Sequence, residues 1–187
     1  SYVAGTTRNT IHGVYHGQGV QIVFVDTPGI AKPVDKLGKH LNHESYDSLD
    51  DIDCILFVVD ASTGLGKGDK FLIESLKKTT TPVVLVLNKV DKVTKDGVYK
   101  AITKYKDLYD FAEIIPISAL KKANIDELIS ITEGYLSDDI KYYDDSVITN
   151  TDPKFMITEL VREKILNLTN DEVPHSVTCV TTKYEEK

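Results

Sequence analysis

The sequence predicts a doubly wound α/β domain with a mostly parallel sheet, followed by the opening of a second, α+β unit. Three observations lead there. Short apolar runs alternate with segments of helical spacing, polar residues gather at the ends of those runs, and the alternation stops at a polar stretch near residue 140. A chain of 187 residues holds one full domain and part of another. Hydrophobic residues make up 41% and charged residues 27%, the balance of a folding chain and not of a disordered one. The longest apolar run, Cys54 to Val59, is six residues. That is far short of the ~20 needed to cross a bilayer, and with no targeting segment a cytoplasmic location is expected. The net charge of -7 excludes a broad basic footprint, so any polyanion site must be local. Cys54 and Cys179 fit neither a zinc spacing nor a disulfide framework and are expected to be buried thiols.

Residues 1–9 show neither period, as at a cut edge. Thr10 to Tyr15 and Val20 to Val25 flank His16-Gly17-Gln18-Gly19 and form a hairpin. Cys54 to Val59, Val83 to Leu87 and Ile114 to Ile117 are bounded by polar or turn residues, as buried parallel strands are. Helical spacing covers Leu37 to Ser48, Asp69 to Lys78, Val98 to Leu108 and Ile125 to Leu136. Ser137 to Asp152 has five aspartates, two tyrosines and no helical period, and its Asp138 to Asp145 portion is expected to be solvated. Phe155 to Leu168 suits an amphipathic helix with Pro153 in its first turn, and Ser176 to Thr182 alternates like a strand. The expected domains are 1–136, a linker over 137–152, and an incomplete second domain over 153–187.

Open α/β sheets bind ligands at the carboxyl ends of their strands, which singles out three positions. Asp26-Thr27-Pro28-Gly29 follows the second hairpin strand. A carboxylate there can hold magnesium through water, and a glycine lets a backbone N–H approach a terminal phosphate. Asn88-Lys89-Val90-Asp91 follows Val83 to Leu87. An ionised carboxylate at Asp91 accepts two parallel hydrogen bonds, matching N1–H and the exocyclic amine of guanine and mismatching adenine. The stem of Lys89 can cover the base, and the Asn88 amide can tie neighbouring loops. Ser118-Ala119-Leu120 follows Ile114 to Ile117, where a small side chain lets a backbone N–H reach the base O6. Each motif alone is weak. Their order and shared placement at strand ends point together to a guanine-nucleotide site.

The order of these motifs resembles that of the translation-factor-related P-loop GTPases, and the details resemble the Era family of ribosome-assembly GTPases. Gly5-Thr6-Thr7-Arg8 is similar to the family's switch threonine segment, and Asp26 to Pro33 with Lys36-Leu37-Gly38 to the segment after it. Gly66-Lys67-Gly68-Asp69 and Phe111 to Leu120 also fit. Phe155 to Val177 is similar to the helix and first strand that open the family's KH domain. The resemblance implies GTP and GDP as ligands, hydrolysis of GTP, and a magnesium ion bound directly by Thr7 and through water by Asp26, with Thr6 the second choice for the direct ligand. It also implies a monovalent cation such as K+, small-subunit ribosomal RNA and the small ribosomal subunit as partners in assembly, and peripheral association with the inner face of the cell membrane. Ile30 stands where Ras-like enzymes place the glutamine that orients water, so the catalytic group is not named by the sequence.

The pattern G-x-x-x-x-G-K-[ST] is absent, and so is the KH G-x-x-G clamp. By the resemblance the phosphate loop, with its strand and helix, precedes Ser1, and the 187-residue chain alone is expected to be inactive. Two other readings stay open. One is a GTPase-like module that binds partners without nucleotide. The other is a related GTPase acting on tRNA or the large subunit, against which residues 155–177 argue.

Overall fold

The computed structural model describes residues 11–26, 52–137, 140–168 and 179–183. They fall into two compact units, one built from 11–26 with 141–183 and the other from 52–140. In the first, β1 (Ile11–His16) and β2 (Gln21–Asp26) pair antiparallel, with Ile11 opposite Asp26 and His16 opposite Gln21. Gly17 N–H donates to Val20 O at 2.9 Å to close the loop, and Gly19 takes φ +79°, a region that side chains other than glycine's enter at a cost. Val14 and Ile22 are buried.

The second unit is a parallel sheet in the order β3-β4-β5, from β3 (Ile55–Asp60), β4 (Val83–Asn88) and β5 (Glu113–Pro116). Residues Val83 to Leu87 of the central strand are all buried, so both of its faces must be covered. Alternation divides the apolar residues between them. Ile55, Phe57, Val59, Leu85 and Leu87 pack with Ile73, Leu76, Ala101 and Tyr105, while Val84, Val86, Ile115 and Ile117 pack with Ile125, Leu128 and Ile131. The first set belongs with α1 (Lys67–Leu76) and α2 (Lys95–Lys106), the second with α3 (Ile125–Glu133). The α/β sheet expected from the sequence is present, with shifted boundaries.

Capping explains those shifts. Helix α1 begins two residues before the expected Asp69 because the Asp69 carboxylate accepts from Gly66 N–H at 2.8 Å. The same oxygen accepts from the Tyr105 hydroxyl at 2.8 Å, pinning α1 to α2. Burial and the Asp69 carboxylate push that hydroxyl well above its usual range, so it remains a donor. Helix α2 starts at Lys95 and not Val98 because Thr94 Oγ1 accepts from Gly97 N–H at 3.2 Å. Asp96 in its first turn and Lys104 and Lys106 in its last complement the helix dipole. Cys54 and Cys179 are half-buried and unpaired in disulfides, less enclosed than expected. Burial pushes the Cys54 thiol up to about 11, so it stays protonated and unreactive.

In the first unit α4 (Pro153–Leu168) opens with its proline, as expected. Asp152 Oδ1 accepts from Lys154 N–H at 2.8 Å, and Asp152 O from Met156 N–H at 3.0 Å. The segment before it is solvated as expected, with Ile140, Lys141, Tyr142, Asp144 and Asp145 exposed, yet its backbone is bonded to the hairpin. Tyr142 and Tyr143 both donate their backbone N–H to Gln21 Oε1 at 2.9 Å, and Val14 N–H reaches Ile148 O at 2.9 Å. Exposed side chains and a backbone held by the hairpin coexist here. Of the strand expected over Ser176 to Thr182, residues 179–182 are described and carry no ladder, with Thr181 Oγ1 donating to Lys154 O at 3.1 Å. The helix expected over Leu37 to Ser48 lies outside the described residues. No helix among the described residues is long and apolar enough to cross a membrane.

Leu85 is fully buried in the central strand. Leu85→Ala should therefore cost about 2–5 kcal/mol, against about 1 kcal/mol for Tyr105→Phe, which removes only the hydroxyl bridge. Urea midpoints of the two variants measure the difference. Equal costs would show that the α1–α2 pin matters as much as the core.

Candidate functional site

Strands β3, β4 and β5 run parallel, so their carboxyl ends and the loops that follow lie at one edge of the sheet, and Asp60 stands in register with Asn88. Burial ends abruptly there. Leu87 is fully buried, whereas Asn88 and Lys89 are half-buried and Asp91 is exposed. The polar groups at this edge are held by one another. Asn88 Oδ1 accepts from Lys89 N–H at 2.7 Å and from Ala119 N–H at 3.1 Å, tying the loop after β4 to the loop after β5. Val90 N–H donates to Ile117 O at 3.2 Å, and a short 3-10 turn over Val90–Lys92 presents Asp91.

Ser118 is buried and holds that carboxylate. Its Oγ donates to Asp91 Oδ1 at 2.5 Å and accepts from Lys121 N–H at 3.1 Å. Its own N–H and C=O are spent on Ala123, at 3.1 and 3.0 Å, and the next N–H along, that of Ala119, is the one held by Asn88. Lys89 Nζ donates to Asp60 Oδ2 at 2.7 Å, which pins the ammonium and the stem behind it. Burial pushes the Asp60 carboxyl up, but the Lys89 ammonium and the Ser62 hydroxyl and N–H outweigh it and hold the carboxyl at about 2.

The backbone is strained at this edge as well. Among the described residues, the non-glycine positions with positive φ are Lys89 (64°), Lys122 (56°) and Asn124 (57°), all in these two loops. Each left-handed residue costs roughly 1–2 kcal/mol, somewhat less for asparagine, and such strain concentrates at functional sites. The Asn124 amide offsets part of it by donating to Pro116 O at 2.8 Å.

Of the residues singled out in the sequence, Asn88, Lys89, Val90, Asp91, Ser118 and Ala119 are brought together here. Asp26 closes β2 in the other unit as an exposed carboxylate. Thr6, Thr7, Arg8, Thr27, Pro28, Gly29 and Ile30 lie outside the described residues.

The family described as 50S ribosome-binding GTPase matches residues 1–89. Era in complex with MgGDPNP and a stretch of 16S ribosomal RNA matches at a TM-score of 0.85 and 38% identity, over 93% of this chain and 60% of that one. A variant of Aquifex aeolicus Era bound to GDP.AlF4- matches at a TM-score of 0.83 with the same identity and shares. The chain is similar to Era over 93% of its own length. It spans 60% of the length of those two Era structures. The elongation factor SelB from Methanococcus maripaludis with a GTP analogue, 24% identical at a TM-score of 0.57 over 75% of this chain and 31% of that one, shares the fold with Era.

Asp60 and Ser62 were not singled out by the sequence reading. The signal was there: Asp60 is a carboxylate directly after the apolar run Cys54 to Val59, as Asp26 is after Val25. The Asp60 carboxyl lies below its ordinary 3.8, so the stability it contributes is present above about pH 4 and is lost as pH falls through about 2. Asp60→Asn should abolish that component. In denaturant titrations stepped from pH 5 to 2, the stability gap between the two proteins should narrow with acid, whereas a constant gap would mean that the pair contributes nothing.

Proposed function

We propose that the chain is the guanine-nucleotide switch of an Era-type GTPase, which couples GTP hydrolysis to small-subunit ribosomal RNA during assembly of that subunit. The observation that carries the reading is the bond from Ser118 Oγ to Asp91 Oδ1, which aims an exposed carboxylate at a fixed place on the sheet edge. Asp91 then accepts N1–H and the exocyclic amine of guanine, a pair that adenine does not offer. The Lys89 stem, held at its far end by Asp60, lies over the base, and Ala119 N–H, which donates to Asn88 Oδ1, is shared with the O6. Asn88 keeps the two loops at the distance the base requires. Support comes from the Era structures that contain GDPNP and GDP.AlF4-.

The phosphate side rests on Asp26 and on residues outside the described part. An exposed carboxylate is the hard oxygen donor that suits magnesium, here through water, with the Thr7 hydroxyl as direct ligand. When bound, the ion neutralises phosphate charge and supports transfer of the terminal phosphoryl group. Gly29 N–H would sense that group, ordering the segments that hold Thr6, Thr7 and Arg8 on one side of the hairpin and Thr27, Pro28 and Ile30 on the other. Ile30 cannot orient water, which leaves that task to groups beyond these motifs and to a monovalent cation such as K+.

For the second unit, α4 is proposed to open a KH-type RNA-binding domain over 153–187, after a GTPase domain over 1–136. One Era structure contains 16S ribosomal RNA, which favours the small subunit over a tRNA or large-subunit target. A cytoplasmic setting, with contact at the inner face of the cell membrane, completes the proposal.

In the full-length protein, Asp91→Asn exchanges two acceptors for an acceptor and a donor. GTP affinity should fall by about two orders of magnitude and XTP affinity should rise. Competition binding with the two nucleotides checks it. An unchanged GTP preference would remove Asp91 from base recognition, and binding of neither nucleotide by the unaltered protein would favour the module that binds partners alone.

A further inference from the structure

The segment between the two expected domains is fastened along the free edge of β1. Val14 N–H donates to Ile148 O at 2.9 Å, Thr149 Oγ1 to His12 O at 2.7 Å, and His12 N–H to Asn150 Oδ1 at 3.2 Å. Gly13 and Thr149 form an antiparallel bridge. These bonds use the outward-facing backbone groups of alternate residues in β1, so the segment docks as a rudimentary third strand.

At the turn end of the hairpin the fastening passes to side chains. Gln21 Oε1 accepts the N–H groups of both Tyr142 and Tyr143, while its Nε2 donates to Tyr143 O at 2.8 Å. The same Nε2 lies 3.4 Å from His16 Nδ1, and His16 Nε2 lies 2.7 Å from Val147 O. Val147 O can only accept, so Nε2 of His16 is the donor in that contact. One glutamine thus clamps three successive peptide groups, and its strand neighbour His16 clamps a fourth. His12 Nδ1 adds a bond to the Tyr143 hydroxyl at 3.0 Å.

The two ends of this arrangement matter. Asn150, which accepts from His12 N–H, is separated from Pro153 of α4 by two residues, and Thr149 Oγ1 accepts from Thr151 N–H at 3.2 Å within that short span. On the other side, β2 ends at Asp26, immediately before Thr27-Pro28-Gly29, and β1 begins three residues after Arg8. The hairpin therefore joins the two segments proposed to respond to nucleotide. Six paired positions make it a stiff lever roughly 20 Å long.

We infer that residues 141–151 form a strap, clamped by Gln21 and His16, that carries the position of the β1–β2 hairpin to the start of α4. The clamp itself is independent of nucleotide. Only the identity of what moves the hairpin rests on the function proposed above. A glycine- or serine-rich tether would let the second domain diffuse, whereas this strap makes the hairpin and α4 move together.

Amide hydrogen exchange in the full-length protein tests the strap in two arms. Without nucleotide, Gln21→Ala and, from the other partner, Asn150→Ala should each speed exchange across 141–151 by about tenfold and extend the effect into the first turn of α4, while Gln18→Ala in the exposed turn should not. Unchanged exchange in both Gln21→Ala and Asn150→Ala would overturn the clamp, as would equal acceleration by Gln18→Ala. In the second arm, replacing GDP by a nonhydrolysable GTP analogue should change exchange in the strap and in the first turn of α4 in the unaltered protein. Gln21→Ala should keep nucleotide affinity and lose the response in α4. A response in α4 that survives Gln21→Ala would overturn the transmission. Failure of the unaltered protein to bind nucleotide would instead count against the proposed function, with the clamp judged by the first arm.

Discussion

Complete burial of β4 is the constraint from which the rest of the second unit follows. Its residues from Val83 to Leu87 face α1 and α2 on one side and α3 on the other, and no polar side chain fits either layer. The chain can place its first polar side chain only where the helices cease to cover it, at Asn88. The same rule applies to β3, which ends at Asp60, and to the loop after β5, whose first polar side chain is Ser118. The site is thus the line along which three strands leave the core together, and its composition follows from the need to satisfy polar groups at a half-dry boundary.

At such a boundary hydrogen bonds do double duty. The Asn88 carbonyl receives two backbone N–H groups that the left-handed turn at Lys89 and the loop after Ile117 would otherwise leave short of partners. The Asp60–Lys89 pair is partly shielded, which strengthens it relative to the exposed Lys100–Asp96 pair on α2. Bonds among side chains, and not helix or strand geometry, hold the base-reading residues before any ligand arrives. That is preorganisation in the ordinary physical sense: the ordering entropy of these loops is spent during folding.

Much of this was legible in the sequence. Apolar runs of four to six residues located the three parallel strands β3, β4 and β5, because the buried face of a parallel strand leaves little room for polar interruptions, whereas β1 and β2 were placed by the glycine turn between them. The guanine motif was legible because its residues are consecutive after β4. Helix starts were misplaced by two or three residues, since Asp69 and Thr94 extend α1 and α2 toward their N-termini through caps that hydrophobic spacing does not register. The docking of Tyr142 and Tyr143 was not legible at all. The side chains of that stretch are solvated, as its aspartate-rich composition suggests, but the partner that holds its backbone, Gln21, lies more than a hundred residues earlier in the chain. Ser62 escaped notice for a related reason: its bond to Asp60 is local, but its importance arises only because Asp60 meets Lys89 across the sheet.

Pro116 in β5 has a consequence of another kind. Ile117 N–H turns toward β4, donating to Leu87 O at 2.8 Å, so the nitrogen of the preceding residue faces the opposite way, off the sheet. Proline at that position deletes the outward donor that an incoming strand would need, and exposed Glu113 sets a charge at the other end of the same short edge. Lateral growth of the sheet beyond β5 is thereby discouraged in the folded state. Protection against cross-β association is written into the same four residues that bring Ser118 to the nucleotide edge.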